Sequence, residues 1–380
     1  MDASPGLTPA EESRALTGLR GLAALLVMVH HFKLHLGLDD HLPSLQWLLQ
    51  KGYLGVDLFF VLSGFVMAMA YGTWFDRSQP DAAATQVRFP IYGRFLVRRI
   101  ARLWPLNATM IGAFVLLGAL DPTFPYSRNM LAANLLLIQS WGLSASINPP
   151  AWSVSTEMFA YAAFPLLVSI ALKGRARAAL TALGIAAAYG VLIHLGPPSG
   201  PGRRGPLDIY FNYSWLPVLR CTAGFTLGML AWRASGKAPL RRIAQHSSTA
   251  PFALAAMLAL MMARANDLWI VPLLPVLVLA THCGRGPFYR ALGYSPLHRL
   301  GIMSYAVYLT HLFVLTYFPF GPTPLSVELL AYLALTFTAA ALAHTLIEVP
   351  GRTLVRRTGE YLLTRLAAPI PPRPLHQPPR

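Results

Sequence analysis

The 380-residue chain reads as an all-α, polytopic membrane helix bundle, and three observations carry that reading. Hydrophobic residues make up 55% of it and charged residues only 12%, with a mean hydropathy of +0.48; soluble domains hold about 25% charge. Apolar stretches recur along the chain at lengths near the roughly 20 residues that cross a hydrocarbon core. The 31 Lys and Arg residues, against 15 Asp and Glu, gather between those stretches, as topology signals do. A net charge of +16 can also mark a nucleic-acid binder, but no basic helix interleaved with aromatics is present, so nucleic acid is not an expected partner.

Taken in order, residues 1–13 form a polar lead-in, 14–355 a membrane domain, and 356–380 a basic, Pro-rich cytoplasmic tail. Candidate spans lie at 16–36, 54–71, 95–120, 152–172, 178–195, 215–232, 249–262, 269–282, 301–318 and 329–346. The first lacks a small-residue cleavage site and is expected to stay as a span. A further apolar run, 130–141, holds only about a dozen residues and is too short to cross, so it predicts a re-entrant or interfacial helix. Basic clusters at 77–102, 173–177, 237–242, 285–299 and 352–365 fall in every second loop only if that run stays on one side. About ten spans with both termini cytoplasmic follow, with Arg203 and Arg204, in a long Pro/Gly-rich loop, as the exception. Cys221 and Cys283 sit in apolar surroundings and read as packing. No metal-ligand spacing is present, and no internal repeat shows. Six prolines from residue 367 onward predict an extended tail.

The first span carries the most information. Arg20, His30 and His31 lie inside it, and ionisable side chains in hydrocarbon cost several kcal/mol unless they face a protein interior or a wet cavity. Arg20 and His31 are eleven apart, which returns to within about 20° of one helix face while separating them by roughly 16 Å. They share a face but do not touch, as expected of one cavity lined at two depths. His30 points about 100° away and reads as a packed or interfacial histidine.

Four further segments sharpen this. LRGLAA running to His31, GYLGVDLFFVLSGFVM at 52–67, FLVRRIARLWP at 95–105 and WSVSTEMFAY at 152–161 resemble acyltransferase family 3, integral membrane O-acyltransferases. SYAVYLTHLFV at 304–314 and IEVPGR at 347–352 are similar to that family's closing helices. The resemblance spans about residues 14–355, in the family's order. It implies transfer of an acyl group, commonly acetyl from acyl-coenzyme A, onto hydroxyls of glycans or natural products. The family's Arg-x10-His motif falls on Arg20 and His31, with His31 either taking the proton of the attacking hydroxyl or carrying the acyl group itself. Its Arg-x-x-Arg motif falls on Arg99 and Arg102, on adjacent turns of one face, where guanidinium forks suit the phosphates of acetyl-coenzyme A. Arg94 and Arg98 read as an ordinary positive flank.

In WSVSTE, Ser153 and Glu157 share a face. A lone acid in a span needs a partner, and Glu157 is expected to back His31, the alternative being a helix-end acid. The family often has a second acid next to this Glu; here the position is Met158, which weakens any two-carboxylate mechanism. Asp57 reads as either a helix-start acid or a site wall, and Ser63 and Gly64 as packing. His311 is a secondary candidate through family similarity. His35 could face the cavity mouth, His194, His282 and His344 lie near span ends, and Glu348 with Pro350 is expected to end the last helix beside an Arg.

The mechanism these residues imply places acyl-coenzyme A on Arg20, Arg99 and Arg102 from the cytoplasm, with His31 and Glu157 as the catalytic pair and no metal. The acceptor expected is a sugar hydroxyl of an exopolysaccharide, lipopolysaccharide or related glycan, or alternatively a small natural product such as a macrolide. The rival class is a glycan transporter or flippase that binds with the same Arg and His residues without reacting. The lipid bilayer, specifically a bacterial inner membrane, is the expected setting; the sequence carries no signal for oligomeric state.

Overall fold

A computed structural model of the chain describes residues 14–36, 43–75, 85–118, 126–196, 205–209, 213–319 and 324–367. The lead-in, Arg203 and Arg204, the side chain of His35 and the proline-rich end of the tail lie outside the described residues. Among those described, the regular structure is helical with no strand.

Helix α1 (Arg14–Leu36) and the short α2 (Gln46–Gln50) lead into α3 (Leu54–Tyr71), which is buried along nearly its whole length. Next come the 34-residue α4 (Thr85–Gly118), α5 (Arg128–Leu135), and the pair α6 (Ala151–Ala162) and α7 (Phe164–Ala171). Then follow α8 (Arg175–Leu195), α9 (Leu216–Ser235), α10 (Ala238–Gln245), α11 (Thr249–Met262), α12 (Asp267–Ile270) and α13 (Leu273–Cys283). The chain closes with α14 (Pro287–Leu292), α15 (Ser295–Ile302), α16 (Ser304–Tyr317), and α17 (Leu325–Ala343), which passes through a π turn at His344–Glu348 into α18 (Val349–Ala367).

The structure does not by itself confirm the ten spans expected. Among the described residues, five helical stretches are long and apolar enough to cross, and up to seven if each of two bent pairs counts as one. The pairs are α6 with α7, bent by 65°, and α15 with α16, bent by 71°. Pro165 in the first turn of α7 marks the first bend, since its ring cannot continue the preceding hydrogen-bond ladder. Helix α11 has 14 residues, about 21 Å at 1.5 Å per residue against a hydrocarbon core of about 30 Å. Helix α9 is long enough, but Arg220 and Arg233 lower its hydropathy. Leucines 180, 183 and 195 of α8 are 61–67% exposed, which suits a lipid-facing surface and no aqueous one.

The short run 130–141 does not make a crossing helix. Leu137 adopts a left-handed backbone (φ 59°), and its N–H returns to Asn134 O while Ile138 N–H reaches Ala133 O, closing α5 as a Schellman-type cap. The segment then folds back, stitched by Asn134, whose Nδ2 donates to Ala145 O and whose Oδ1 accepts from Ile147 N–H, both at 2.9 Å.

At the centre, α3 packs on α9 so closely that a Cβ on Gly64 would collide with the Phe225 carbonyl, and one on Gly228 with that of Val61. Small residues here let two backbones meet where lipid supplies no hydrophobic driving force between helices. The same pair of helices is locked by an ion pair: the Arg220 guanidinium donates to Asp57 at 2.6 and 3.0 Å and to the carbonyls of Ile209 and Tyr53. Lys51 and Tyr53 hold Asp267 at 2.6–2.9 Å in a second buried cluster.

Candidate active site

A cavity of about 1050 Å³ opens among α1, α3, α4, α6, α15, α16 and α18. That volume stands at the upper end of the roughly 300–1,000 Å³ typical of small-molecule sites. Seven arginines line it, namely Arg14, Arg20, Arg98, Arg99, Arg102, Arg352 and Arg356, against one lining carboxylate, Glu157. Such an excess of fixed cation in a partly enclosed space favours a large anion, because low-dielectric walls strengthen each charge.

The helices place these groups for local reasons. Arg20 enters from α1, one face of which also buries Leu16, Leu19 and Ala23. Arg99 and Arg102 project together from α4, as three-residue spacing requires. Arg99 donates to Tyr71 Oη at 3.0 Å and to Met67 Sδ at 3.4 Å, and its guanidinium lies 5.1–5.9 Å from the rings of Tyr71, Phe95 and Tyr161. Its buried Nε has no protein acceptor. Arg102 reaches Glu348 Oε1 at 3.4 Å, and Glu348 Oε2 in turn holds His344 Nδ1 at 2.9 Å. Glu348 and His344 belong to the π turn, a local widening found often at functional sites.

Deeper in, the lining becomes neutral and hydroxylic. Ser153 donates to Pro150 O at 3.1 Å, which leaves its oxygen to accept from Tyr308 at 2.7 Å. Ser63 and Tyr161 meet at 3.0 Å, and Tyr161 donates to Glu157 at 2.6 Å. One aromatic layer beyond Tyr308 lies the histidine pair: the Tyr308 and His311 rings are 5.9 Å apart, and His311 Nε2 is 3.2 Å from His31 Nδ1. The histidine pair thus packs against a residue of the cavity wall, with His311 behind Tyr308.

Three expectations change here. Glu157 does not partner His31; its bond runs to Tyr161, four residues on along α6, and the ring against His31 is His311 from α16. Asp57 is no site wall: it is fully buried against Arg220 and does not line the cavity, because a carboxylate inside an apolar bundle demands a cation. Ser63 lines the cavity beside its packing role. Arg20, Arg99, Arg102 and Ser153 share the cavity wall, whereas His31 and His311 stand just behind it. His30 ties α1 to Leu49 O at 2.7 Å.

Sequence reasoning missed several members. Arg352 and Arg356 come from α18, which continues where Glu348 and Pro350 were expected to end a helix. Arg98, read as flank, also lines the cavity and pairs with Glu360. The one available signal was periodicity: Glu348, Arg352 and Arg356 recur every four residues, hence on one face. Arg220 could have been found as the counter-ion of Asp57, both being isolated charges in apolar segments.

Among the described residues, an all-helical bundle with exposed leucines and a large arginine-lined cavity has the character of a membrane protein with a polar site inside its bundle. The acyltransferase domain that defines acyltransferase family 3 matches residues 13–346, and the chain belongs to that family; it is an enzyme that transfers acyl groups. Acyltransferase MdmB of Streptomyces mycarofaciens is 29% identical over 90% of this chain and 92% of its own length. Protein 2 in the picA locus of Rhizobium radiobacter is 39% identical over 26% of this chain and 42% of its own. A Staphylococcus aureus protein provisionally named O-acetyltransferase SACOL0978 is 26% identical over 44% of this chain and 27% of its own. No solved structure matches.

Proposed function

We propose that this enzyme takes an acyl group, acetyl in the simplest case, from acyl-coenzyme A and places it on a sugar hydroxyl of an exopolysaccharide, lipopolysaccharide or related glycan. The observation that supports the reading is the polarity of the site: seven arginines and the Ser153–Tyr308 pair line one cavity, and His311, paired with His31, packs behind Tyr308. Coenzyme A fits it, with several phosphates for the arginine forks and a long arm for the neutral stretch. Arg20, Arg99 and Arg102 hold the phosphates, joined by Arg352 and Arg356.

His31 takes the proton of the acceptor hydroxyl as the oxygen bonds to the acyl carbon; the carbon–sulfur bond breaks, and the departing thiolate recovers the proton from His31. Glu157, through Tyr161, shapes the wall next to Arg99 and does not assist His31 directly. In this reading the apolar segments cross a bacterial inner membrane about ten times, the short and bent helices being completed by their neighbours. Both termini are cytoplasmic, so the arginines face the soluble donor.

The test is free-thiol release from acetyl-coenzyme A by the purified protein in lipid nanodiscs, offered a panel of sugars and glycan fragments. Acceptor-dependent release is expected, falling by about 10³-fold or more in His31→Ala, in the range that acid–base catalysis contributes. Tight glycan binding with no thiol release from any acceptor would move the assignment to a transporter.

A further inference from the structure

Both rings of the histidine pair lean on the carbonyl four residues back in their own helix. His31 Nδ1 lies 2.9 Å from Val27 O, and His311 Nδ1 lies 3.2 Å from Val307 O. A carbonyl oxygen only accepts, so each Nδ1 carries a proton, and in a neutral ring the Nε2 is then bare. The bare Nε2 of His311 sits 3.2 Å from His31 Nδ1. The His31 N–H therefore has two acceptors, one on its own helix and one on a helix 280 residues away in sequence.

We propose that His311 is a positioning residue: with the Val27 carbonyl it fixes His31 in the Nδ1–H form and turns His31 Nε2 into the nitrogen that reacts. This rests on the acyl-transfer reading. The arrangement follows the logic of a nucleophile–base–orienter triad, with a neutral imidazole standing where such triads place a carboxylate. A neutral ring suits the site. His311 is fully buried among the apolar residues of α16, where an unpaired carboxylate would carry a heavy desolvation cost.

Among the described residues, two neighbours of the pair are held by other groups. The His30 ring stands edge-on to His31 at 5.4 Å with its Nδ1 on Leu49 O, and Tyr308 turns its hydroxyl to Ser153. As His31 Nε2 takes up the hydroxyl proton, positive charge spreads over the ring and the Nδ1–H becomes a stronger donor. The bond to His311 thus tightens in the transition state more than in the ground state, which accelerates the step.

Two arms test this on the full-length protein. In the first, ¹⁵N-histidine spectra, assigned with His31→Asn and His311→Gln, report which nitrogens are protonated. The expected result is Nδ1–H with bare Nε2 for both rings; finding His31 as the Nε2–H form overturns the proposal whether or not the protein turns over. In the second, His311→Gln, which keeps an acceptor, stays within about tenfold of wild-type kcat, while His311→Leu loses roughly 100-fold in kcat. In both, the KM for acetyl-coenzyme A is expected to remain within about twofold, since His311 lies behind the arginine cavity. A wild-type kcat in His311→Leu, or a loss confined to KM, overturns it. Absence of thiol release from the wild type would instead count against acyl transfer itself, leaving the spectra to decide the tautomer.

Discussion

The molecule contains two regions of buried charge that obey opposite rules. Where α3 meets α9, and at the turn before α3, the charges form tight pairs: Asp57 faces Arg220 and Asp267 faces Lys51, with the remaining donors of Arg220 on carbonyls. Around the cavity, seven arginines face one lining carboxylate, with Glu348 and Glu360 reaching Arg102 and Arg98 from outside the lining. Closed pairs of this kind register helices against each other, and breaking one leaves an uncompensated charge. An unbalanced set is stable only because solvent or an anion completes it. Charge balance, more than the presence of charge, separates scaffold from site here.

The largest test of that contrast is to break a matched pair. Asp57→Ala should destabilise by about 3–5 kcal/mol by stranding Arg220, read as a lowered melting temperature in detergent. Asp57→Leu combined with Arg220→Met should recover most of the loss; failure to recover would show that the charges do more than register α3 on α9. A smaller effect is expected from the unbalanced region. Arg99→Ala should raise the KM for acetyl-coenzyme A by about 10–100-fold, the worth of charge-assisted hydrogen bonds, while its melting temperature falls less than that of Asp57→Ala. The smallest is a salt effect: raising ionic strength from about 0.05 to 0.5 M should raise that KM several-fold through screening and leave melting nearly unchanged, because the matched pairs are out of water. Equal salt sensitivity of binding and melting would erase the distinction.

How far this was legible in sequence follows the same division. Features local to one helix read through well: the ten apolar segments are helical, and Arg20, Arg99, Arg102 and Ser153, each placed by spacing within a helix, share one wall. The stop of α5 before it could cross was also legible, since too few apolar residues were available. What depends on packing between distant helices was not. His311 meets His31 across 280 positions, whereas the Tyr161–Glu157 bond is an i,i+4 pair within one helix that spacing alone offered as an alternative partner for the acid. The bend between α15 and α16 at Met303 has no proline to announce it and falls just inside the start of the 301–318 segment.

One element reaches well past the bundle. From Leu325 to Arg365 the chain is a 41-residue helical rod, about 62 Å long at 1.5 Å per residue, twice the roughly 30 Å of hydrocarbon available. Arg356 lies 31 residues along it, some 46 Å from its start, farther than the hydrocarbon core is thick. The rod works as a mast. It carries Arg352 and Arg356 of the cavity rim on the same continuous rod as the apolar stretch of α17, so the length of one helix sets how far that rim stands from the apolar layer.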